Sequence, residues 1–188
     1  MDRGGHSMGM IQSTEEFQSR IKRVLISESE IAAAVKKAGE EISTSYDGHP
    51  ILLVSILKGA FVFMADLCRA VTVPCEIGFM SAKSYYEGTT STGKVTITLD
   101  LEQDISKYHV IIVEDIIDTG RTLNDVVNML KLRNPLSLKV VTLLDKPERR
   151  VVDFKPDMAL FETEDCFVIG CGMDSDEKYR TLPYIAAF

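Results

Sequence analysis

The chain has 188 residues, 45% of them hydrophobic and 26% charged, a globular balance that excludes a disordered, collagen-like or coiled-coil protein. That length suits one domain, with a core large enough to need neither disulfides nor a structural metal. Lys+Arg 21 against Asp+Glu 28 gives a net charge of −7, so nucleic-acid binding is not expected without a local basic patch.

The longest apolar runs, such as Ile51–Leu57, are too short to span a bilayer, and no apolar segment of a secretory signal follows Met1. The chain therefore reads as soluble and cytoplasmic. Cys68, Cys75, Cys166 and Cys171 form no C-x-x-C pair and read as thiols, and His6, His49 and His109 lack zinc-site spacing.

Residues 1–10 are Gly- and Met-rich without periodicity and read as a disordered start or an added leader. Ser27-Glu28-Ser29-Glu30 is a capping box, and Ile31, Val35, Ala38 and Ile42 follow at helical spacing, predicting a helix to about Tyr46. Asp47-Gly48-His49-Pro50 closes it. Residues 51–56 (ILLVSI) are almost continuously apolar, as in a strand covered on both faces. A buried helix over 60–71 and a strand over 75–82 follow. Residues 83–93 are polar and rich in Gly and Thr and read as a mobile loop, before a strand at 95–99. A buried strand at 109–113, a helix over 122–133 and a strand at 138–144 complete an alternation that predicts an α/β fold, doubly wound around a mainly parallel sheet. The stretch from Asp157 reads as irregular, with short strands at 158–161 and 167–169, and is expected to pack as a cap beside the first helix.

Open α/β sheets bind ligands outside the carboxyl ends of their strands. The richest such end is Val110 to Leu123, VIIVEDIIDTGRTL. A buried strand delivers Glu114 and Asp115, Asp118 opens a short loop, and Thr119-Gly120-Arg121-Thr122 leads into a helix start. Amides at a helix start point outward with the positive end of the dipole, Gly120 permits close approach, and two threonines add donors, so the loop suits a phosphate. Asp118 would repel that phosphate and should instead face a group that exchanges a proton. Taken singly, each feature is more often a cap or a solvated acid; their combination at one strand end is specific.

This segment resembles the phosphoribosyl pyrophosphate signature of the type I phosphoribosyltransferases, and the chain from about Leu25 onward is similar to their 6-oxopurine branch, the hypoxanthine or hypoxanthine-guanine phosphoribosyltransferases. The resemblance implies one such domain, with a small hood from about residues 11–30 and 150–188. It implies that Glu114 and Asp115 hold the ribose hydroxyls and their Mg²⁺, that Asp118 acts as acid/base beside the purine, and that the residues around the phosphoribosyl group are Asp118, Thr119, Gly120, Arg121 and Thr122. Leu57-Lys58-Gly59 matches the pyrophosphate loop, with a cis peptide expected at Leu57–Lys58, and Arg180 matches the arginine that meets pyrophosphate. Ser84-Tyr85 matches the pair in the flexible loop that closes over the ribose. Lys146 matches the lysine that donates to the 6-oxygen of the purine, Phe167 the aromatic that stacks on the base, and Val168 the source of backbone groups at its edge. Asp174 matches the second Mg²⁺-linked aspartate, at the purine site. Without the family, Lys58 would read as a surface lysine, Lys146 as a strand-end lysine, and Phe167 and Val168 as core.

The resemblance further implies a homodimer or homotetramer that acts on phosphoribosyl pyrophosphate and a 6-oxopurine, without nucleic-acid or membrane partners. One departure stands out: where many relatives read G-Y-G-x-D-Y, this chain has Gly170-Cys171-Gly172-Met173-Asp174-Ser175, which leaves the hypoxanthine-to-guanine preference open. Two rivals are a phosphoribosyltransferase for another base, such as xanthine or a pyrimidine, and a non-catalytic regulator that senses phosphoribosyl pyrophosphate on the same fold. Lys146 and the 167–174 segment weigh against a pyrimidine base, and the acidic charge weighs against a nucleic-acid-binding regulator.

Overall fold

The computed structural model describes residues 14–87 and 90–188, with the backbone alone for Thr14, 83–87 and 90–94. The elements run α1 (Thr14–Ser19), β1 (Arg23–Ile26), α2 (Glu28–Ser45), β2 (Ile51–Leu57), α3 (Phe61–Ala70), β3 (Cys75–Glu87), β4 (Thr90–Leu99), β5 (His109–Ile117), α4 (Arg121–Lys131), β6 (Ser137–Asp145), β7 (Met158–Glu162), β8 (Val168–Ile169) and β9 (Ile185–Ala187). Six strands form the main sheet in the order β4-β3-β2-β5-β6-β7, and a small sheet has the order β1-β9-β8. In the main sheet only the β3–β4 pair is antiparallel.

The continuous apolar runs are explained by two core layers. Along β2, Ile51 and Leu53 join the core beneath α2 and α3, while Leu52, Val54 and Ile56 join the core beneath α4. In β5, Ile111 and Val113 face the first layer and Val110 and Ile112 the second. Successive strand side chains point to opposite faces, so a sheet covered on both sides needs apolar residues throughout. The predicted capping box is present at Ser27, whose hydroxyl accepts from the Glu30 N–H. Helices α2 and α3 approach closely at Gly39, where a Cβ would lie 2.6 Å from Ala70 backbone atoms. Among the described residues, no helix is long and apolar enough to cross a membrane.

Three expectations are corrected. Residues 83–93 were expected as a loop, yet β3 and β4 continue through most of that stretch, because alternate pairing such as Tyr86 with Ser91 extends the hairpin despite its polarity. Residues 88–89 and residues 1–10 lie outside the described residues, as do the side chains of Ser84 and Tyr85. The strand that carries the two acids does not stop at Val113: β5 runs to Ile117, since pairing with β6 holds through Ile117 and Asp145. The C-terminal stretch is also less irregular than expected. Met158–Glu162 adds a parallel edge strand to the main sheet beside β6, and the segment beyond it joins β1 in the small sheet. Val168, Cys171, Met173 and Ile185 there share a core with Ile31 and Val35 of α2. Short α1 and β1 carry no periodic signal strong enough to predict.

Candidate active site

Because β2, β5 and β6 are neighbours in the sheet, their carboxyl ends bring Lys58 and Gly59, Glu114 to Asp118, and Lys146 together. Two clefts meet there and share Ile116 and Asp118. One, of about 300 Å³, is lined by Gly59, Glu114, Asp118, Thr119, Gly120 and Thr122 among others. The other, of about 210 Å³, is lined by Asp115, Asp118, Lys146, Phe167, Val168 and Asp174 among others. A larger groove of about 520 Å³ runs between α2, α3 and the 180–183 segment, but it contains neither the helix-start amides nor the β5 carboxylates.

The candidate phosphate loop turns sharply into α4. Gly120 takes the left-handed conformation, φ 79°, directly before α4, which an L side chain adopts only with strain. Asn124 N–H donates to Gly120 O at 2.9 Å, so the amides of the turn before Asn124 point out of the helix end. Arg121 begins the helix and is exposed, with Thr122 half-buried.

Glu114 and Asp115 lie within β5, and Asp115 is buried. Burial, and then the Asp115 charge, pushes the Glu114 carboxyl well above the usual range; burial raises Asp115 too. Glu114 Oε2 is buried without a hydrogen-bond partner, an orphaned acceptor that calls for a donor or a cation. Behind them, the Leu57–Lys58 peptide is cis as expected. Asp115 presses on Gly59 so closely that any Cβ there would overlap its carboxylate, and a Cβ on Gly172 would overlap Gly59 O. Gly170, Cys171 and Gly172 all have positive φ, 97°, 47° and 97°. The two glycines that survive in the altered motif are thus required by a turn that leans on the loop at Lys58–Gly59.

Lys58 and Arg180 meet through a residue that sequence reasoning missed. Glu177 accepts from Lys58 Nζ at 3.0 Å and from Arg180 Nη2 at 3.0 Å, and these contacts, Lys58 first, hold its carboxyl below the usual range. Arg180 also donates to Gly172 O at 2.8 Å and pairs with Asp174 at 3.0 Å. Asp174 is therefore tied to the arginine. Among the described residues no group of three or more His, Cys, Asp or Glu converges as a metal site, so Asp174 does not join Glu114 and Asp115 in one cluster.

On the other side, Lys146 is buried, 6% exposed, and its Nζ donates to Cys166 O at 2.6 Å. That bond uses one of three donors and fixes the ammonium at the cleft wall. Phe167 is 57% exposed, its ring tilted against Phe188. An exposed aromatic lining a cleft offers a face for a planar ring. Since Phe188 N–H donates to Phe167 O, the antiparallel register puts Val168 at the alternate position, with its N–H and C=O pointing away from β9. Asp118 accepts from Arg149 Nε at 2.9 Å, and Arg149 also reaches Asp165. Arg149 and Arg150 went unnoticed in the sequence; two adjacent cations just after a strand end, in an acidic chain, were the available signal.

The fold and this constellation define a phosphoribosyltransferase. A sequence model described as the phosphoribosyl transferase domain matches residues 24–176. A hypoxanthine phosphoribosyltransferase of Buchnera aphidicola subsp. Schizaphis graminum is 49% identical over 165 residues, 87% of this chain and 93% of that one. A hypoxanthine-guanine phosphoribosyltransferase of Streptococcus pneumoniae is 46% identical over 169 residues, covering 90% and 94%. A crystal structure of a hypoxanthine phosphoribosyltransferase from Staphylococcus aureus superposes with a TM-score of 0.89 at 40% identity, over 95% of this chain and 96% of that one. The chain belongs to the phosphoribosyl transferase family and, within it, to the hypoxanthine and hypoxanthine-guanine phosphoribosyltransferases, which are glycosyltransferases.

Proposed function

We propose that the chain serves purine salvage by transferring the phosphoribosyl group of phosphoribosyl pyrophosphate to hypoxanthine, guanine or both, releasing pyrophosphate. The observation that carries this reading is the meeting of the two clefts at Asp118, one lined by the phosphate loop and the other by Lys146 and Phe167. The amides and hydroxyls of Thr119–Thr122 receive the 5′-phosphate, with Arg121 beside them. Lys58, Gly59 and Arg180 receive the pyrophosphate, with Glu177 giving way to it. The flexible-loop role that the family resemblance gives Ser84 and Tyr85 falls on side chains outside the described residues. Phe167 stacks on the base, Val168 offers backbone groups to its edge, and Lys146 donates to its 6-oxygen. A cation cannot accept from a 6-amino group, so Lys146 selects an oxopurine over adenine. As the bond from the anomeric carbon to pyrophosphate breaks and the bond to the purine nitrogen forms, the proton leaving the purine passes to Asp118.

The residues also fit Mg²⁺. The partnerless Glu114 oxygen beside the buried Asp115 carboxyl is a poor arrangement without a cation, and Mg²⁺ commonly takes one or two carboxylates plus substrate oxygens. Glu114 and Asp115 would hold it with the ribose hydroxyls, and Asp174 would hold a second ion beside the base. Bound there, the metal would supply charge stabilisation for the departing pyrophosphate. The chain acts as one cytoplasmic domain in which the small sheet forms the hood over the base, and it assembles as a homodimer or homotetramer. Exposed Ile77 and Phe79 on β3 support self-association.

The test is nucleotide formation with Mg²⁺ and phosphoribosyl pyrophosphate, offering hypoxanthine, guanine, xanthine, adenine, uracil and orotate separately. Turnover of hypoxanthine or guanine without adenine or orotate is expected. Binding of phosphoribosyl pyrophosphate without turnover of any base would overturn the reading in favour of a regulator.

A further inference from the structure

The phosphate loop is not held by its own segment alone. Arg150 lies in the stretch that follows β6, and its side chain is 11% exposed against an Asp145 side chain at 8%. One nitrogen, Nη2, forms a short ion pair with Asp145, and the other, Nη1, donates to the backbone oxygen of Asp118 at 2.6 Å. The stem supports the next turn of the loop, since a Cβ on Gly120 would lie 2.8 Å from Arg150 Cδ. Two main-chain bonds run alongside: Val151 N–H to Thr119 O at 3.1 Å and Lys146 N–H to Ile117 O at 3.0 Å.

We propose that Arg150 is a positioning residue for the transfer reaction, its guanidinium clamping the Asp118–Gly120 loop to the end of β6. The proposal rests on the function proposed above. The clamp joins the two halves of the site, because Asp145 directly precedes Lys146 at the base cleft, and Asp118 opens the loop at the phosphate cleft. It grips the Asp118 carbonyl and leaves the carboxylate for proton transfer. Arg149 does the reverse, pairing with the carboxylate, but both partners are 44–45% exposed, and such a pair is weak and easily displaced. A buried arginine is different: removing one partner strands a charge, and only a planar fork reaches a carboxylate and a carbonyl at once. Lysine has the charge without the fork.

The experiment compares Arg150→Lys, Arg150→Met and Asp145→Asn with the parent enzyme by steady-state kinetics on both substrates, together with Tm. For Arg150→Lys the expected result is a KM for phosphoribosyl pyrophosphate about tenfold higher and a kcat about 10- to 100-fold lower, as a misplaced reacting group produces. KM for hypoxanthine should move less than threefold or so. Arg150→Met should be worse than Arg150→Lys, and Asp145→Asn intermediate in the same direction. A lower Tm with kcat and both KM values unchanged in the folded protein would overturn the proposal and leave Arg150 a packing residue. Should neither Arg150 variant fold, the isosteric Asp145→Asn decides: unchanged KM for phosphoribosyl pyrophosphate overturns the proposal as well. Failure of the parent to form any nucleotide would instead count against the function itself.

Discussion

Gly59 and Asp115 share one space: the Asp115 carboxylate lies where the side chain of any other residue at position 59 would begin. The contact joins the turn after β2 to the carboxyl-terminal part of β5, so the candidate pyrophosphate loop and the candidate ribose carboxylates have a fixed spacing. Gly59 is not in the left-handed region; what demands glycine here is close approach.

Gly59→Ala should therefore disable the enzyme while leaving most of the fold intact. The added methyl must push Asp115 or the Lys58–Gly59 turn aside, and a displacement near 1 Å in a reacting site lowers turnover by about 100-fold. Turnover with Mg²⁺ and phosphoribosyl pyrophosphate, read beside far-ultraviolet circular dichroism, checks this.

Asp118→Asn removes the proposed proton acceptor but retains the size of the side chain. Its kcat should fall by about 10²- to 10⁴-fold, the range for loss of a general acid/base. The dissociation constant of phosphoribosyl pyrophosphate should change far less, because the loop amides are untouched. Unchanged turnover would remove Asp118 from the proton-transfer role.

Lys146→Met keeps the apolar stem and deletes the ammonium that Cys166 O now holds. With the proposed charged donor to the purine 6-oxygen gone, kcat/KM for hypoxanthine should drop by roughly 10- to 100-fold. KM for phosphoribosyl pyrophosphate should stay within a few-fold, and a separate titration of each substrate distinguishes the two effects.

Burial pushes the Cys171 thiol up from 9.0 to about 12. At pH 8 the folded protein holds essentially no Cys171 thiolate, so iodoacetamide should label Cys171 only after unfolding. Between pH 9.0 and about 12 the unfolded chain loses this proton while the folded chain keeps it, so stability falls as pH rises through that window. Cys171→Ala should lose less stability across the same window. Peptide mapping and thermal melts at several pH values measure the two effects.

Gly39→Val tests the contact between α2 and α3. The new side chain would begin 2.6 Å from Ala70, and overpacking of this kind destabilises by about 1–3 kcal/mol. For a chain of this size each kcal/mol lowers Tm by roughly 2–4 °C. Activity at 25 °C should persist in the folded fraction, in contrast to Gly59→Ala.

Local chemistry made much of this protein readable from its amino acids. The capping box at Ser27, the two-faced apolar runs of β2 and β5 and the Asp118–Thr122 loop all depend on neighbours within a few residues, where spacing and residue type decide the outcome. What sequence could not decide was pairing across long separations. Strand β3 continues past Ala82 because β4 pairs with it, and β7 enters the main sheet because β6 offers an edge, although neither segment shows strong periodicity. The site divides in the same way. Glu114, Asp115 and Asp118 are legible as a motif, but Lys58 on Glu177 and Arg149 on Asp118 are long-range pairs of charged side chains, and Arg150 reaches the Asp118 backbone oxygen across a similar separation. Charged residues usually face solvent, so their type alone carries no sign of a partner. Only the folded chain, by bringing the ends of β2, β5 and β6 side by side, determines which charges meet.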